Sequence, residues 1–445
     1  MHGEDALRRI ATQALEATRA DQAEVVISAD ESALTRFASS TIHQNVFEAG
    51  IEVRVRAVLG TRIGVATTTR TDERALRETA HRAAESARYV PENPDFKGLP
   101  GPQPITPVSA YSSATAAYTP ERRALDVKGV CDQAIARGLD ASGAWSTGEL
   151  ELGVANSRGV WAYDARTHAS FKTVVMGEDS SGYAERTAVD ATTVDVDSAG
   201  REAIEKTLRS RSPVHLDPGE YTTIIEPYAV GTMVDYLSFI GLGALSVQEG
   251  RSFMNGHVGE QIVGDNVTLW DDGLDPAGVP MPFDFEGVPK RRVVFFDRGI
   301  AQGVVYDSFT AGREGKESTG HALPAPNSYG PMPLNLFLAP GDADREALLA
   351  GIRHGLWVTR FHYVNVVQPT KAILTGMTRD GTFVIENGEI TRPVHNLRFT
   401  QSVLDALSNI EAIGREPMML QDEIGGTRVP SLRIGRFSFT SATEF

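Results

Sequence analysis

Ile225-Glu226-Pro227-Tyr228-Ala229-Val230-Gly231-Thr232-Met233 reads as the passage from a strand into a helix, and it stands where the pattern of the chain changes. Upstream, helix and strand signals alternate. Leu7, Ile10, Ala11, Ala14 and Leu15 form one stripe of an amphipathic helix, and a β-rich run follows at 23–29. Val53 and Val55 alternate with Arg54 and Arg56 in a half-buried strand that turns at Leu59-Gly60-Thr61 and resumes at 63–66. Thr71 precedes the acidic first turn Asp72-Glu73 of a helix running to about Arg88, as a cap and the helix dipole favour. Thr119-Pro120-Glu121 supplies an N-cap and then proline at the first helical position. Prolines at 91, 94, 100, 102, 104, 107 and 120 break regular structure, so residues 91–120 are expected to be a surface connection. Strands are predicted at 149–155, 159–163 and 169–176, and a helix after Asp197.

Downstream of Tyr221 the rhythm becomes all-β with a few helices. The runs 293–296 and 300–306 flank Asp297-Arg298-Gly299, and 382–386 and Ile390 flank Asn387-Gly388, a strong hairpin signal. Helices are expected after Asp342, through Leu348, Leu349 and Ile352, and at 401–413, where Leu404, Leu407 and Ile410 share a stripe. The expected fold class is α+β with two domains. Residues 1–220 form an N-terminal α+β domain, and residues 221–445 form a C-terminal β-rich domain that carries the subunit contact.

The 445 residues are 41% hydrophobic and 23% charged, the profile of a soluble globular protein with core enough for two domains. No apolar run reaches the roughly 18 residues of a membrane span, and Met1-His2-Gly3-Glu4-Asp5 lacks the pattern of a signal peptide, so a cytoplasmic location is expected. The single cysteine, Cys131, excludes a disulfide framework. Its helical spacing from Val127, Val130, Ala134 and Ile135 predicts a buried structural thiol. A formal net charge of −15 disfavours binding to phosphate backbones, so no nucleic-acid partner is expected, and no membrane partner either.

Beyond the helix entry comes a string of short motifs: Ser252-Phe253, Gly259-Glu260, Asp271-Asp272-Gly273, Phe283-Asp284-Phe285-Glu286-Gly287-Val288-Pro289 and Ser318-Thr319-Gly320-His321. Gly355-Leu356-Trp357-Val358-Thr359, Ile385-Glu386-Asn387-Gly388-Glu389-Ile390 and Val429-Pro430-Ser431-Leu432 follow. Together these resemble the TldD/PmbA metallopeptidase family over nearly the whole chain, with no single motif carrying the likeness. In the active TldD branch of that family, His-Glu-x-x-x-His stands on the helix and a further cysteine ligand lies near the C-terminus. Two imidazoles and a third ligand hold zinc with a position open for water, and the glutamate is the general base. Residues i and i+5 lie about 140° apart on a regular helix, so both face one metal only where the helix widens into a π-bulge. Gly231 marks the place for such a turn.

Aligned on Ala229-Val230-Gly231, this chain has Pro227 for the first histidine, Tyr228 for the glutamate and Thr232 for the second histidine, and no cysteine follows Cys131. Proline has no ligating side chain, a tyrosine of pKa about 10 is a poor general base at neutral pH, and a threonine hydroxyl is a weak zinc ligand. These departures match the TldE/PmbA branch. The resemblance therefore implies a non-catalytic subunit with no metal or other cofactor of its own. Zinc is expected in a TldD-like metallopeptidase partner, and the substrates are unstructured peptides or peptide-like intermediates. A β-rich domain suits that role, because a strand edge binds an extended peptide through backbone hydrogen bonds.

None of the ten histidines is followed by glutamate, and His354 and His362 straddle the predicted end of a helix. Ser252, Phe253, His257 and His321 are candidates for substrate or subunit contact, with hydrogen-bonded loop roles the plainer reading of both histidines. Asp284 and Glu286, at i and i+2, suit turns or hydrogen bonds at a subunit contact better than an acid/base pair. Asp271-Asp272-Gly273 reads as a turn, and Lys290-Arg291-Arg292 as a solvated face or a contact to an acidic partner. Two other readings compete. An independent hydrolase with a relocated site lacks a G-x-S-x-G elbow around Ser238, Ser246 or Ser318. A homo-oligomeric regulatory or binding protein, such as a gyrase modulator, fits the negative charge poorly.

Overall fold

The computed structural model describes residues 1–421 and 425–442. Helix α1 (Glu4–Ala17) leads into strands β1 (Gln22–Ala38), β2 (Thr41–Leu59) and β3 (Arg62–Thr68), then helix α2 (Glu73–Tyr89). The short α3 (Ser113–Ala116) and helix α4 (Pro120–Ile135) precede β4 (Asp140–Asn156), β5 (Trp161–Met176), β6 (Ser181–Ala188) and helix α5 (Val196–Arg209). The six strands form one antiparallel sheet in the order β3-β2-β1-β4-β5-β6.

Side chains alternate along a strand, and that alternation parts the two faces of the sheet. Val25, Ile27, Val53 and Val55 pack against Leu7, Ala11, Leu76 and Ala83 of α1 and α2. Phe37, Trp145, Phe171 and Val175 lie under α4 and α5, with Cys131 buried among them. On the opposite face Val26, Leu152, Val154 and Ala162 meet Met281, Phe283, Met332 and Leu334 from the second half of the chain. The arginines of β2 belong to this covered face. Arg56 is buried, pairing with Glu24 at 2.6 Å and Glu286 at 3.2 Å.

Thr119 caps α4 and Pro120 opens it, but α2 is capped by Asp72, whose carboxylate accepts from the amide of Ala75, so Thr71 lies outside. Residues 90–112 form neither helix nor strand, and Phe96 and Leu99 pin that segment against Val58. The runs 159–163 and 169–176, read as two strands, are the two ends of β5. Asp164, Arg166 and His168 break the apolar pattern between them, yet the backbone pairs with β4 without interruption.

Strand β7 (Gly219–Ile225) opens the second half and feeds helix α6 (Pro227–Gly241) and the short α7 (Ala244–Gln248). Next come β8 (Leu269–Asp271), β9 (Val293–Asp297), β10 (Ile300–Ala301), α8 (Ser308–Glu314), β11 (Asn335–Leu338) and α9 (Arg345–Leu349). The chain ends in β12 (His354–Gln368), β13 (Ile373–Glu386), β14 (Glu389–Pro393), β15 (Leu397–Ser402), α10 (Val403–Ser408), β16 (Ile410–Ile413), β17 (Met418–Gln421), β18 (Gly426–Val429) and β19 (Leu432–Ala442). These strands make a six-stranded sheet, β10-β9-β8-β11-β18-β17, and a seven-stranded one, β12-β7-β19-β15-β13-β14 with β16 on β19. Pairing of β12 with β13 closes the second sheet on itself. Phe361, Phe399 and Phe437 fill it, the first two with ring centroids 4.4 Å apart. The fold is α+β, with an N-terminal α+β part and a β-rich C-terminal part.

Two hairpins turn as expected. Asn387 and Gly388 have φ of 52° and 82°, and Arg298 and Gly299 have 46° and 79°, the positive values a tight hairpin turn requires. Other elements are shorter than the sequence predicts. Of 300–306 only Ile300–Ala301 joins a sheet. The helix at 401–413 contracts to Val403–Ser408, because the residues before it pair in β15 and those after it in β16. His354 and His362 both lie on β12, so they do not straddle a helix end.

Candidate functional site

Strand β7 lies between β12 and β19, which fixes the point where the chain enters α6: Ile225 is opposite Val358 on one side and Leu432 on the other. The next residue, Glu226, turns its carboxylate inward. It accepts from Trp357 Nε1 at 2.5 Å and from Thr359 Oγ1 at 3.3 Å, and pairs with Lys206 Nζ at 2.5 Å. Lys206, on α5, also holds Glu202 at 2.7 Å and lies 5.0 Å from the centre of the Tyr228 ring. The Tyr228 hydroxyl donates to Glu202 at 3.0 Å and accepts from Arg186 Nη1 at 3.1 Å, while Arg186 Nη2 meets Glu202 at 2.6 Å. Tyr183 stands edge-on to Tyr228 at 5.1 Å. Helix α6 is thus tied to α5 and β6 of the first half through a network in which Glu202, Lys206, Glu226 and Arg186 all have partners.

Burial works against the charges of Glu202, Lys206 and Arg186, and the pairing overcomes it. Although burial pushes the other way, Lys206 and Arg186 hold Glu202 below the usual carboxylate range, and Glu226 and Glu202 lift the Lys206 amine above its ordinary value. Burial, then Glu202, pushes the Tyr228 hydroxyl far above its ordinary value, so it remains a phenol. Thr232 Oγ1 donates to the carbonyl of Tyr228 at 3.1 Å. Helix α6 keeps α geometry over its whole length, so the widened turn expected at Gly231 is absent. Gly231 answers a different need: a Cβ there would lie 2.5 Å from Leu420 Cδ1.

Zinc requires imidazole, thiolate or carboxylate lone pairs free to converge on it. Around the start of α6 the Tyr228 and Thr232 hydroxyls are engaged, and Glu202 and Glu226 share one ammonium group. This donor set does not fit the metal. Pro227 instead borders a cleft of about 850 Å³, beside Arg209, Arg345, Trp357 and Arg415.

The other candidates fall into separate environments. Ser252 is buried, with Oγ donating to Gly241 at 2.7 Å and accepting from the amide of Met254 at 2.9 Å. Phe253 covers Gly241 so closely that a Cβ there would meet its ring at 2.3 Å. Both secure the C-terminal end of α6. His257 is exposed and pairs with Glu260 at 2.7 Å. His321 is fully buried, with Nε2 2.8 Å from Asp271 and Nδ1 2.9 Å from Thr319 Oγ1. No hydrogen bond or ring contact joins His321 to the other three.

Two expectations need correction here. Asp271 is more than a turn residue: besides His321 it accepts from the amides of Leu334 and Asn335, at 2.8 and 2.7 Å. Lys290 is buried near Asp271 and Asp284 and is no solvated face. Asp284 accepts from the amides of Glu286, Val288 and Ala322, which folds its own loop. Burial, then the Glu286 charge, pushes its carboxyl up.

Sequence reading passed over Arg186, Glu202 and Lys206. Their one advance signal is the i, i+4 spacing of Glu202 and Lys206 on a helix. It also passed over a cleft of about 770 Å³ between the first sheet and the second half, into which Arg166 and His168 of β5 project. The polar interruption of β5 was the signal for that one.

Family models described as PmbA/TldA metallopeptidase domain 1, central domain and C-terminal domain match residues 23–87, 117–211 and 218–441. A metalloprotease of Methanothermobacter thermautotrophicus is 26% identical over 226 residues, which is 50% of this chain and 49% of that protein. A zinc metalloprotease TldD homolog of Saccharolobus solfataricus is 28% identical over 220 residues, 44% of each chain. In these matches the chain spans about half the length of its curated relatives or less. The crystal structure of TldE from Thermococcus kodakarensis superposes with a TM-score of 0.90 at 18% identity, covering 98% of this chain and 100% of that one, so the two share a fold.

Proposed function

Because the chain belongs to the PmbA/TldD metallopeptidase family, we propose that it is a TldE-like, non-catalytic subunit. It pairs in the cytoplasm with a TldD-like metallopeptidase subunit that carries the zinc, and the pair processes unstructured peptides or peptide-like intermediates. In this reading residues 1–220 and 221–445 are its two domains, and the second carries the subunit contact.

One observation carries the reading. At the helix start where the family resemblance places two imidazoles and a glutamate, Tyr228, Glu202, Lys206 and Glu226 form a closed network of hydrogen bonds and ion pairs. A zinc-bound water needs an open coordination position and a base beside it, and each polar group here is committed to another. The role left to these residues is to hold α6 against the first half of the chain. The rival reading, an independent hydrolase, needs an accessible nucleophile. The grouping most like one is Asp271–His321–Thr319, but His321 is sealed in the core and Thr319 Oγ1 donates to the Tyr306 carbonyl at 3.1 Å.

The test is reconstitution. The chain alone is expected to leave unstructured peptides uncut, and mixing it with a TldD-like partner is expected to produce cleavage that a chelator abolishes. Replacing the partner's His-Glu-x-x-x-His residues removes turnover, because no metal-bound water remains to attack the amide. Peptide cleavage by the chain purified free of any partner, at a rate a chelator leaves unchanged, would overturn the proposal.

A further inference from the structure

The cleft over β5 holds a cation, Arg166, whose side chain is 15% exposed and which the described residues around it leave poorly matched. Arg166, His168 and Lys172 occupy alternate positions of β5 and so share the face turned toward the second half of the chain. Lys172 is satisfied, donating to the Gln421 carbonyl at 3.1 Å and pairing with Glu185 at 3.2 Å. Arg166 is not. Its nearest carboxylate is Asp164 at 3.9 Å, the limit of an ion pair, and among the described residues its guanidinium makes no hydrogen bond.

Asp164 Oδ2 in turn has no hydrogen-bond partner among the described residues. Asp30 also lines the cleft, but it stands in register on β1, two strands from Arg166, roughly 9–10 Å away. Lys290, buried and without a hydrogen-bond partner for Nζ among the described residues, adds positive charge near Arg166. A guanidinium that borders a cleft with no acceptor from the protein has its N–H groups open to an acceptor on a ligand.

Beside Arg166, His168 lies over a glycine. A Cβ on Gly148 would come within 2.3 Å of His168 Cε1, so glycine on β4 makes room for the ring. Burial, and then the charge of Arg166, lowers the His168 pKa and keeps the imidazole neutral, with one N–H to donate. Opposite this polar floor, Met281, Phe285 and Leu323 present an apolar wall. The volume of about 770 Å³ lies within the range of small-ligand sites.

We propose that this cleft binds the C-terminal end of a peptide, with the α-carboxylate on Arg166 and His168 and an apolar terminal side chain against Met281, Phe285 and Leu323. A planar carboxylate matches the guanidinium fork in two parallel hydrogen bonds. The apolar wall requires that the carboxylate be attached to a hydrophobic group. A fatty acid has that chemistry too, but the hydroxyl of Ser32 on the floor, and the accepting lone pairs of Ser146, whose O–H goes to the Ser170 carbonyl at 3.2 Å, suit the amides of a peptide, which an acyl chain lacks. The inference is independent of the subunit role, since it is read on the isolated chain by binding alone. Its failure would leave the partner-dependent activity untouched.

Titration calorimetry of the full chain decides it, with N-acetyl-Ala-Ala-Leu as the probe, its C-terminal amide as the control and decanoate as the competing source. The free acid is expected to bind at least about tenfold more tightly than the amide and more tightly than decanoate. Arg166→Gln is expected to bring acid and amide to the same affinity. Leu323→Ala, which leaves the charges alone, is expected to weaken both peptides by a similar factor and keep the acid's advantage. Equal binding of acid and amide to the wild-type chain, no binding of either, or tighter binding of decanoate would each overturn the proposal.

Discussion

The start of α6 and the cleft over β5 are both polar, both bounded by the two halves of the chain, and opposite in how their charges are answered. At α6, Lys206 lies between Glu202 and Glu226 and each carboxylate has a further donor. At β5, Arg166 faces a cavity that Asp30 and Glu149 also border, and the nearest carboxylate to its guanidinium is Asp164 at 3.9 Å. Charges taken out of water cost several kcal/mol unless paired, so the first arrangement holds two parts of a chain together and the second leaves electrostatic work undone. Within one fold, completeness of pairing separates a structural junction from an open cleft more sharply than polarity does.

Charge deletion tests the contrast most strongly. Lys206→Met leaves two carboxylates facing each other in a site where side-chain exposure is 14% for Lys206 and 9% for Glu226, and is expected to lower unfolding free energy by about 3–5 kcal/mol. Arg166→Met removes a charge with little to lose and is expected to stay within about 0.5 kcal/mol of wild type or to gain stability. Urea denaturation of both variants reads the difference directly. Equal losses would erase the distinction.

A smaller effect is expected from Tyr228→Phe, which takes one donor from Glu202 and one acceptor from Arg186. A loss of about 1–2 kcal/mol in the same assay fits hydrogen bonds to charged partners. A change under about 0.3 kcal/mol would mean that the hydroxyl is incidental to the network.

The pH dependence sharpens the contrast further. Glu202 has its pKa depressed on folding, so its contribution is present above the ordinary carboxylate value near 4.5 and fades as pH falls through the lower folded value. Lys206 has its pKa raised, so its contribution is present below about 10.5 and fades as pH climbs through the higher folded value. The junction should hold across the neutral range and loosen at both ends, and Lys206→Met should flatten the alkaline limb. His168 gives the smallest signal. Its folded pKa lies below the ordinary 6.5, so the unfolded chain takes up the proton first and stability declines as pH falls through that value. His168→Gln should remove this shallow slope, and an unchanged slope in thermal melts from pH 7 to 5 would show that the imidazole titrates freely.

Much of the fold was legible because its signals are local. Asn387-Gly388 takes the positive φ values of a tight hairpin, Thr119 and Pro120 start a helix, and the α1 stripe buries Leu7, Ala11 and Ala14. The helix read over 401–413 failed because Gln401 and Ile410 pair with strands distant in sequence, and such pairing leaves no trace in a short window. At the site, Pro227, Tyr228 and Thr232 could be named from the chain, but Glu202, Lys206 and Arg186 come from other elements and converge only on folding.

The sequence alone therefore determined the α+β class, the change of rhythm near Tyr221, the family resemblance and the absence of any histidine followed by glutamate. The tertiary structure alone decided what covers each polar face. The alternation of Val53 and Val55 with Arg54 and Arg56 says that one face is apolar and the other charged. A guanidinium reads the same in a sequence whether it meets solvent, two buried carboxylates as Arg56 does, or a cleft as Arg166 does. Its energy is set by the dielectric and partners that distant segments bring to it, and those exist only once the chain has folded.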